Sequence, residues 1–387
     1  MLWNRRRSYY GIFVEQLLVA IILMLSVVSL SEAVKKYTTP GMLHVKNTVF
    51  MGYMFDRAHQ PEGNSEQSMK TIAENMKKLP FVESVSASFN FIPYLRNDWI
   101  YEYYLSDSVH IDDKHFTTII KETDEFAANV FKIRMEEGVW FENRALPDGS
   151  APAVITRQFA DKAGWTSCIG KKVTLNARTY TITGVAEGLK QEPLIPSPVA
   201  IVVPQYLAIG HNDHGGYEYA ARIKPGYQKD FFKAFEKEFK RVFSSKEIEP
   251  LIHDMQAMKD TWMSFSILDI ALQCIPTLLL FIFAFLGTFG LSWMLSRKRL
   301  KEFALRMALG STKSRLMAIV IGESLLITCI AVIPALLLSF FIYEYAAVHV
   351  VGVGATVGVM LLFSAVSAWY PAWKVSRVNP AEALQYE

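Results

Sequence analysis

Residues 297–316 read RKRLKEFALRMALGSTKSRL, and this basic stretch separates two long apolar runs, 265–296 and 316–343. Its positive charges are Arg297, Lys298, Arg299, Lys301, Arg306, Lys313 and Arg315. Roughly 20 helical residues cross a hydrocarbon core of about 30 Å, so each flanking run is long enough to span a bilayer. Lys and Arg concentrated in a short loop between spans hold that loop in the cytoplasm. The stretch therefore reads as a charged cytoplasmic element between two membrane helices, where a soluble partner can push on it.

Two further runs, 11–33 and 345–370, are also long and apolar enough to span. Arg5, Arg6 and Arg7 precede the first, and Lys374 and Arg377 follow the last. Both termini are therefore expected in the cytoplasm, since Lys35 and Lys36, on the other side, are outnumbered. Trp3, Tyr9, Trp293, Trp369 and Trp373 mark one expected interface, and Trp262, Tyr343 and Tyr345 the other. The first run is too long for the apolar part of a signal peptide, and 29–36 makes a poor cleavage site, so it reads as a retained anchor.

The expected order is a cytoplasmic N-terminus at 1–10, spans at 11–33, 265–296, 316–343 and 345–370, a loop at 297–315 and a tail at 371–387. Residues 34–264 then lie outside the cytoplasm, and this polar insert explains a mean hydropathy of only +0.18. The expected fold class is an α-helical membrane protein with four transmembrane helices and a large mixed α/β extracytoplasmic domain between the first two. That domain contains a single cysteine, Cys168, so it forms no internal disulfide; Cys274 and Cys329 fall in spans. A net charge of +3 gives no reason to expect a nucleic-acid partner.

Within the insert, 44–55 reads as a strand, 65–79 as a helix capped by Ser65 and stopped by Pro80, and 82–91 as a second strand. Residues 172–175, 179–185 and 199–203 read as short strands of a compact β-rich subdomain. The run 228–243 reads as a helix with Phe231, Phe232, Phe235, Phe239 and Phe243 on one stripe, more often core than a ligand site.

A catalytic constellation is not apparent. The nearest approach to a phosphate-binding loop, Gly164 to Lys172, has the wrong spacing and no following Ser or Thr. There is no Gly-x-Ser-x-Gly elbow and no His-Glu-x-x-His zinc helix. His110, Asp112, Asp113 and His115, or His211, Asp213 and His214, offer metal-ligand types, but polar turn-rich surroundings favour solvated loops and no metal site is expected. The chain is not expected to be an enzyme.

Ionisable groups inside a bilayer are costly, which draws attention to Glu15 and Glu323. Asp269 lies near the outer end of its span and reaches water, while packing or pairing to a basic residue is the ordinary reading for Glu323. Gln273 is a further intramembrane polar residue; Pro276 and Pro334 are candidate kinks. Gly354 and Gly358 would let a neighbouring helix approach closely, though the spacing is common by chance.

In the loop, Leu300, Phe303, Ala304, Met307 and Ala308 fall on one helical stripe, with Lys301, Glu302 and Arg306 opposite. Gly310 is placed as a C-terminal cap before Ser311 starts the next helix. Such a short helix either docks a partner or simply lies on anionic membrane lipid, and periodicity alone leaves the two readings even.

KEFALRMALGSTKSRL at 301–316 resembles the Glu-Ile-x-x-x-Arg-x-Ala-Leu-Gly-Ala segment of ABC-transporter permeases of the MacB and FtsX superfamily. PAWKVSRVNPAEALQYE at 371–387 resembles that family's terminal signature, with Ser376 only partly replacing its small alanine run. Residues 131–141, 153–159 and 169–184 are similar to the middle of its extracytoplasmic domain. The topology of one span, a large insert and three spans is similar over the whole chain.

The resemblance implies a MacB-like permease without a fused ATPase, in the bacterial cytoplasmic (inner) membrane. ATP would be bound by a partner, an ABC ATPase subunit dimer, and the permease itself would carry no cofactor. A second permease, either another copy or a paralogue, would complete the dimer; whether a periplasmic adaptor and outer-membrane channel join the assembly is left open by the resemblance. On matching positions it assigns ATPase contact to Lys301, Glu302, Arg306, Ala308, Leu309 and Gly310, and Glu323 matches an acidic position of the third span. The expected function is export or mechanotransmission, acting on a peptide, toxic hydrophobe or lipoprotein. The alternative is a non-transporting, FtsX-like regulator of a cell-wall hydrolase, or a sensor permease. An adjacent adaptor gene or an adjacent hydrolase or kinase gene would separate the two.

Overall fold

A computed structural model describes residues 6–55, 65–95, 106–111, 113–175, 178–205, 218–243, 248–344 and 346–377. Residues 36–266 form one compact unit, and the helices before and after them form another.

The membrane unit is built from α1 (Arg6–Thr38), α6 (Met255–Lys298), α8 (Lys313–Ile342) and α9 (Ala347–Ser376), with the short α7 (Leu300–Ala308) between α6 and α8. All four long helices carry stretches apolar enough to cross a membrane, and the chain is a multi-pass membrane protein. Each helix is longer than its apolar run. The extreme is α6, whose 44 residues begin at Met255 and extend about 66 Å at 1.5 Å per residue. Pro276, Pro334 and Pro371 all lie inside continuous helices.

The helices meet along apolar contacts such as Ala20, Ala284, Val332 and Met360, punctuated by polar pairs. The Ser26 and Thr277 hydroxyls join α1 to α6 at 2.7 Å, Ser324 and Ser364 join α8 to α9 at 2.8 Å, and Thr328 donates to Gln16 Oε1 at 2.8 Å. Where water is scarce, such small hydroxyl pairs let helices approach and satisfy each other. Gly352 sits against Val28 of α1, whereas a Cβ at Gly354 or Gly358 would meet nothing within 4 Å. The close approach inside this unit therefore uses Gly352, not the Gly354 and Gly358 pair.

The inserted domain contains β1 (Thr48–Phe55), α2 (Ser65–Lys77), β2 (Val82–Phe89), β3 (Ser106–Ile111), β4 (Lys114–Thr123), α3 (Ala127–Phe131), β5 (Met135–Gly138) and β6 (Ala151–Thr156). It continues through α4 (Arg157–Ala163), β7 (Lys172–Leu175), β8 (Arg178–Ala186), β9 (Ala200–Pro204), β10 (Glu218–Ile223), α5 (Gln228–Val242) and β11 (Ile248–Asp254). Among the described residues one mixed sheet runs in the order β11, β1, β10, β2, β4, β9, β6, β8, β5, with β3 on β4 and β7 on β8. The β4–β9 and β6–β8 pairs are parallel.

Strand periodicity divides this sheet into two faces. Phe50, Val154, Val202 and Ala220 lie on one face with Phe131 of α3 and Met255 of α6. Their neighbours in sequence point the other way into two separate cores. Val49, Met51, Tyr219 and Ala221 pack under Met69, Ile72 and Met76 of α2 and Phe231, Phe235 and Phe239 of α5. Ala153, Ile155, Ile201 and Val203 pack under Phe159 and Ala160 of α4. The phenylalanine stripe is thus core.

The β-rich half has its own core under α4 but shares its sheet with the rest. Hydrogen bonding through β4 to both β2 and β9 carries one sheet across both halves. Two expected strands are shorter than read, because Asn47 (φ 58°) and Asn90 (φ 55°) take left-handed conformations that end extended pairing. The segment around His110 is a hairpin and not a solvated loop, with His110 and His115 paired directly across β3 and β4. His211, Asp213 and His214, like Asp112, lie outside the described residues.

Candidate functional site

The basic end of the membrane unit is organised around one side chain that the sequence pattern hides. Arg299, between α6 and α7, is only 7% exposed and pairs with both Glu302 and Glu323. Its Nε donates to Glu302 Oε2 at 3.2 Å, and its Nη1 donates to Glu323 Oε2. Arg306 Nη2 closes the chain by donating to Glu302 Oε1 at 2.8 Å. The Arg299 guanidinium also lies over the Phe303 ring, 4.9 Å from its centroid. Two cations and two carboxylates thus alternate in one network, each charge compensated where water is partly excluded.

Below this network, Phe303 packs with Leu316 of α8 and Val375 of α9, and Leu300 and Met307 lean on the same cluster. Only Phe303 and Ala304 of α7 are fully buried. Ala308, expected on the apolar stripe, is exposed, because α7 ends there. Gly310 N–H donates to Met307 O at 3.0 Å and Ser311 N–H donates to Arg306 O at 2.9 Å. That pairing, with Gly310 at φ 92°, is the Schellman ending of a helix. The next helix starts later than Ser311: Thr312 is its cap, with Oγ1 accepting from Arg315 N–H at 3.3 Å.

The outcome is a surface with two characters. Lys301, Leu305, Ala308, Leu309 and Gly310 are exposed, and Leu309 reaches 79% exposure for an apolar side chain. Glu302 and Arg306 are turned into the ion-pair network instead of standing outward. Of the six residues expected to contact a partner, four therefore lie on the open surface and two hold the helix in place. Arg299 was missed because it counted only toward the positive loop. The available signal was its spacing to Glu302 and Arg306, at i+3 and i+7.

The other singled-out groups lie deeper. Glu15 of α1 accepts from Thr288 Oγ1 of α6 at 3.4 Å and faces Gly287, whose missing side chain makes room for the carboxylate. Glu323 borders a cavity of about 30 Å3 with Ser292, Ser296, Arg299 and Ser324, a size and polarity suited to about one water. Asp269 is exposed. Gln273 accepts from Ser29 Oγ at 2.9 Å. Among the described residues no three His, Cys, Asp or Glu side chains converge as a metal site would require.

Residues 17–234 match the MacB-like periplasmic core domain, and residues 275–380 match the FtsX-like permease C-terminal domain. The chain belongs to the MacB/FtsX family of ABC-transporter permeases. No curated protein matches it. Among solved structures, the periplasmic region of MacB from Actinobacillus actinomycetemcomitans is similar at 15% identity and a TM-score of 0.38, over 56% of this chain and 93% of that one. The extracellular domain of the noncanonic ABC-type transporter YknZ from Gram-positive bacteria is similar at 16% identity and 0.38, over 53% and 100%. A domain of a permease protein from Porphyromonas gingivalis follows at 18% identity and 0.37, over 55% and 91%. The two family matches carry the assignment, one covering most of the inserted domain and the other running from within α6 through α7, α8 and α9. MacB/FtsX permeases work with an ATPase partner, as dimers.

Proposed function

We propose that this MacB/FtsX permease sits in the bacterial cytoplasmic membrane with both termini and α7 in the cytoplasm. A separate ABC ATPase docks on the exposed end of α7, and its ATP cycle moves the inserted domain, for export or for mechanotransmission, with a peptide, toxic hydrophobe or lipoprotein as the object. The observation that carries this reading is the division of labour on α7. Leu305, Ala308 and Leu309 leave apolar surface beside Lys301, while Arg299, Glu302 and Glu323 fix the helix to α8. A helix that only lay on lipid needs no such anchoring, whereas one that transmits force does.

The test is co-purification of the ATPase with the tagged full-length chain carrying Lys301→Glu and Leu309→Asp. Burying a leucine is worth about 1.5–3 kcal/mol, so losing it together with the charge should reduce retained ATPase by an order of magnitude or more. Insertion persists, because Arg297, Lys298, Arg299, Lys313 and Arg315 still set orientation. Full ATPase retention by a properly inserted variant would overturn the docking role.

A further inference from the structure

His110 and His115 face each other directly across β3 and β4, and their ring centroids lie 4.3 Å apart with the ring planes at 64°. In a solvated loop, as the polar and turn-rich sequence suggests, two imidazoles hold no fixed separation. Across a hairpin they do, because directly opposed side chains are neighbours at every moment. Both histidines are exposed.

The hairpin is held from its other face. Side chains alternate along a strand, so His110 points away from Val109 and Ile111, which are buried in the core under α4. On the opposite strand Phe116, next to His115, meets Phe159 of α4 edge-on with centroids 5.2 Å apart. The Lys114 ammonium lies against Gly164 at the end of α4, on that same anchored side. This neighbouring cation is therefore turned away from the imidazoles, and the backbone that carries them is fixed by packing they take no part in.

Imidazole nitrogens are good ligands for first-row transition metals. An ion about 2.0–2.1 Å from one nitrogen of each ring lies about 3.2 Å from each centroid, so a right angle at the metal sets the centroids about 4.5 Å apart and a tetrahedral angle about 5.2 Å. The observed 4.3 Å fits the right angle, the cis arrangement of tetragonal Cu(II) and Ni(II). We propose that His110 and His115 chelate a divalent transition-metal ion, Cu(II) in preference to Ni(II), on the open face of the β3–β4 hairpin. Among the described residues no third ligand joins them. The remaining positions therefore belong to water or a small ligand, and the ion exchanges instead of being held as a resident centre.

The experiment uses the full-length protein in neutral detergent, free of any polyhistidine tag and stripped with chelator, titrated with copper(II), nickel(II) or magnesium chloride. Calorimetry gives affinity, and Cu(II) paramagnetic resonance gives the number of bound nitrogens. The chain has 8 histidines, so the reading is the difference that this pair makes. The wild type should bind Cu(II) more tightly than Ni(II) and leave Mg(II) unbound. His110→Asn and His115→Asn should each weaken Cu(II) about tenfold or more, because the second nitrogen of a chelate binds intramolecularly, and should each remove one nitrogen from the spectrum. Both variants should melt as the wild type does without metal, and His211→Asn/His214→Asn should bind as the wild type does. The proposal is overturned if either single variant keeps the wild-type affinity and nitrogen count, or if the His211→Asn/His214→Asn variant loses the site instead.

Discussion

Arg299 and Glu323, 24 positions apart, form the ion pair that ties the start of α7 to the interior of α8. The arginine is 7% exposed and the carboxylate 18%, so neither charge is well served by water if the other is removed. Because Arg299 also holds Glu302, one side chain sets where α7 lies relative to the helix that follows it.

Replacing Arg299 by Ala should therefore destabilise the membrane unit more than replacing the exposed Lys301. Removing one partner of a buried pair costs about 3–5 kcal/mol, and partial exposure places this case toward the lower figure. The double replacement Arg299→Met/Glu323→Leu should recover most of the loss, because it leaves no uncompensated charge. Thermal midpoints in detergent for the wild type, both single variants and the double variant check this. A double variant no more stable than Arg299→Ala would contradict it.

Gly310→Ala should shorten or redirect the end of α7. A Cβ there would meet nothing within 4 Å, yet φ is 92°, a region that non-glycine residues rarely adopt. The expected cost is about 1–2 kcal/mol, with Leu309 displaced. Crosslinking from a cysteine at Leu309 to the bound ATPase should fall in the Gly310→Ala background relative to the same cysteine beside native Gly310.

The fragment Lys36–Ser266 should fold cooperatively, and a shorter fragment, 40–258, should be markedly weaker. Lys190 is fully buried and donates to Thr39 O at 2.8 Å as well as to Lys36 O. Trp262 donates to Tyr94 O at 3.2 Å and packs on the same core as Met255. The shorter fragment strands the lysine and removes the tryptophan, a loss of several kcal/mol at about 1–3 kcal/mol per unsatisfied buried group. Equal denaturation midpoints for the two fragments would refute the dependence.

Stability of that fragment should pass through a minimum near pH 6–7. Burial pushes Lys121 down to about 7 from 10.5, opposed by the nearby Glu218 charge; its Nζ donates to Asn90 O at 2.7 Å. Burial also pushes Asp124 up to about 6 from 3.8, against hydrogen bonds from Ala87, Ser86 and Phe126. Between pH 4 and 6 the folded state holds a proton on Asp124 that the unfolded state has released, so stability falls as pH rises. Between pH 7 and about 10 the unfolded state keeps the lysine proton that the folded state has lost, so stability rises with pH. Each limb has a slope of at most about 1.4 kcal/mol per pH unit. Lys121→Met should flatten the alkaline limb and Asp124→Asn the acid one, as measured by urea unfolding.

The membrane helices were legible in the sequence because a bilayer selects on local composition: an apolar run of sufficient length needs no distant partner to declare itself. The same holds for α7, whose 3.6-residue stripe contains Phe303 and Ala304, and for Gly310, whose left-handed turn is a local requirement. The phenylalanines of α5 were legible for the same reason.

What tertiary structure alone decided are the pairings between residues far apart in the chain. A two-residue period indicates which way Val154 and Ile155 face, but not that β6 lies between β8 and β9. No local pattern announces that β4 joins β2 to β9 and so merges two apparent subdomains into one sheet. The Arg299–Glu323 pair is of the same kind: each residue reads as an isolated charge until the fold brings the two together in a partly dry site, where each becomes a condition for the other.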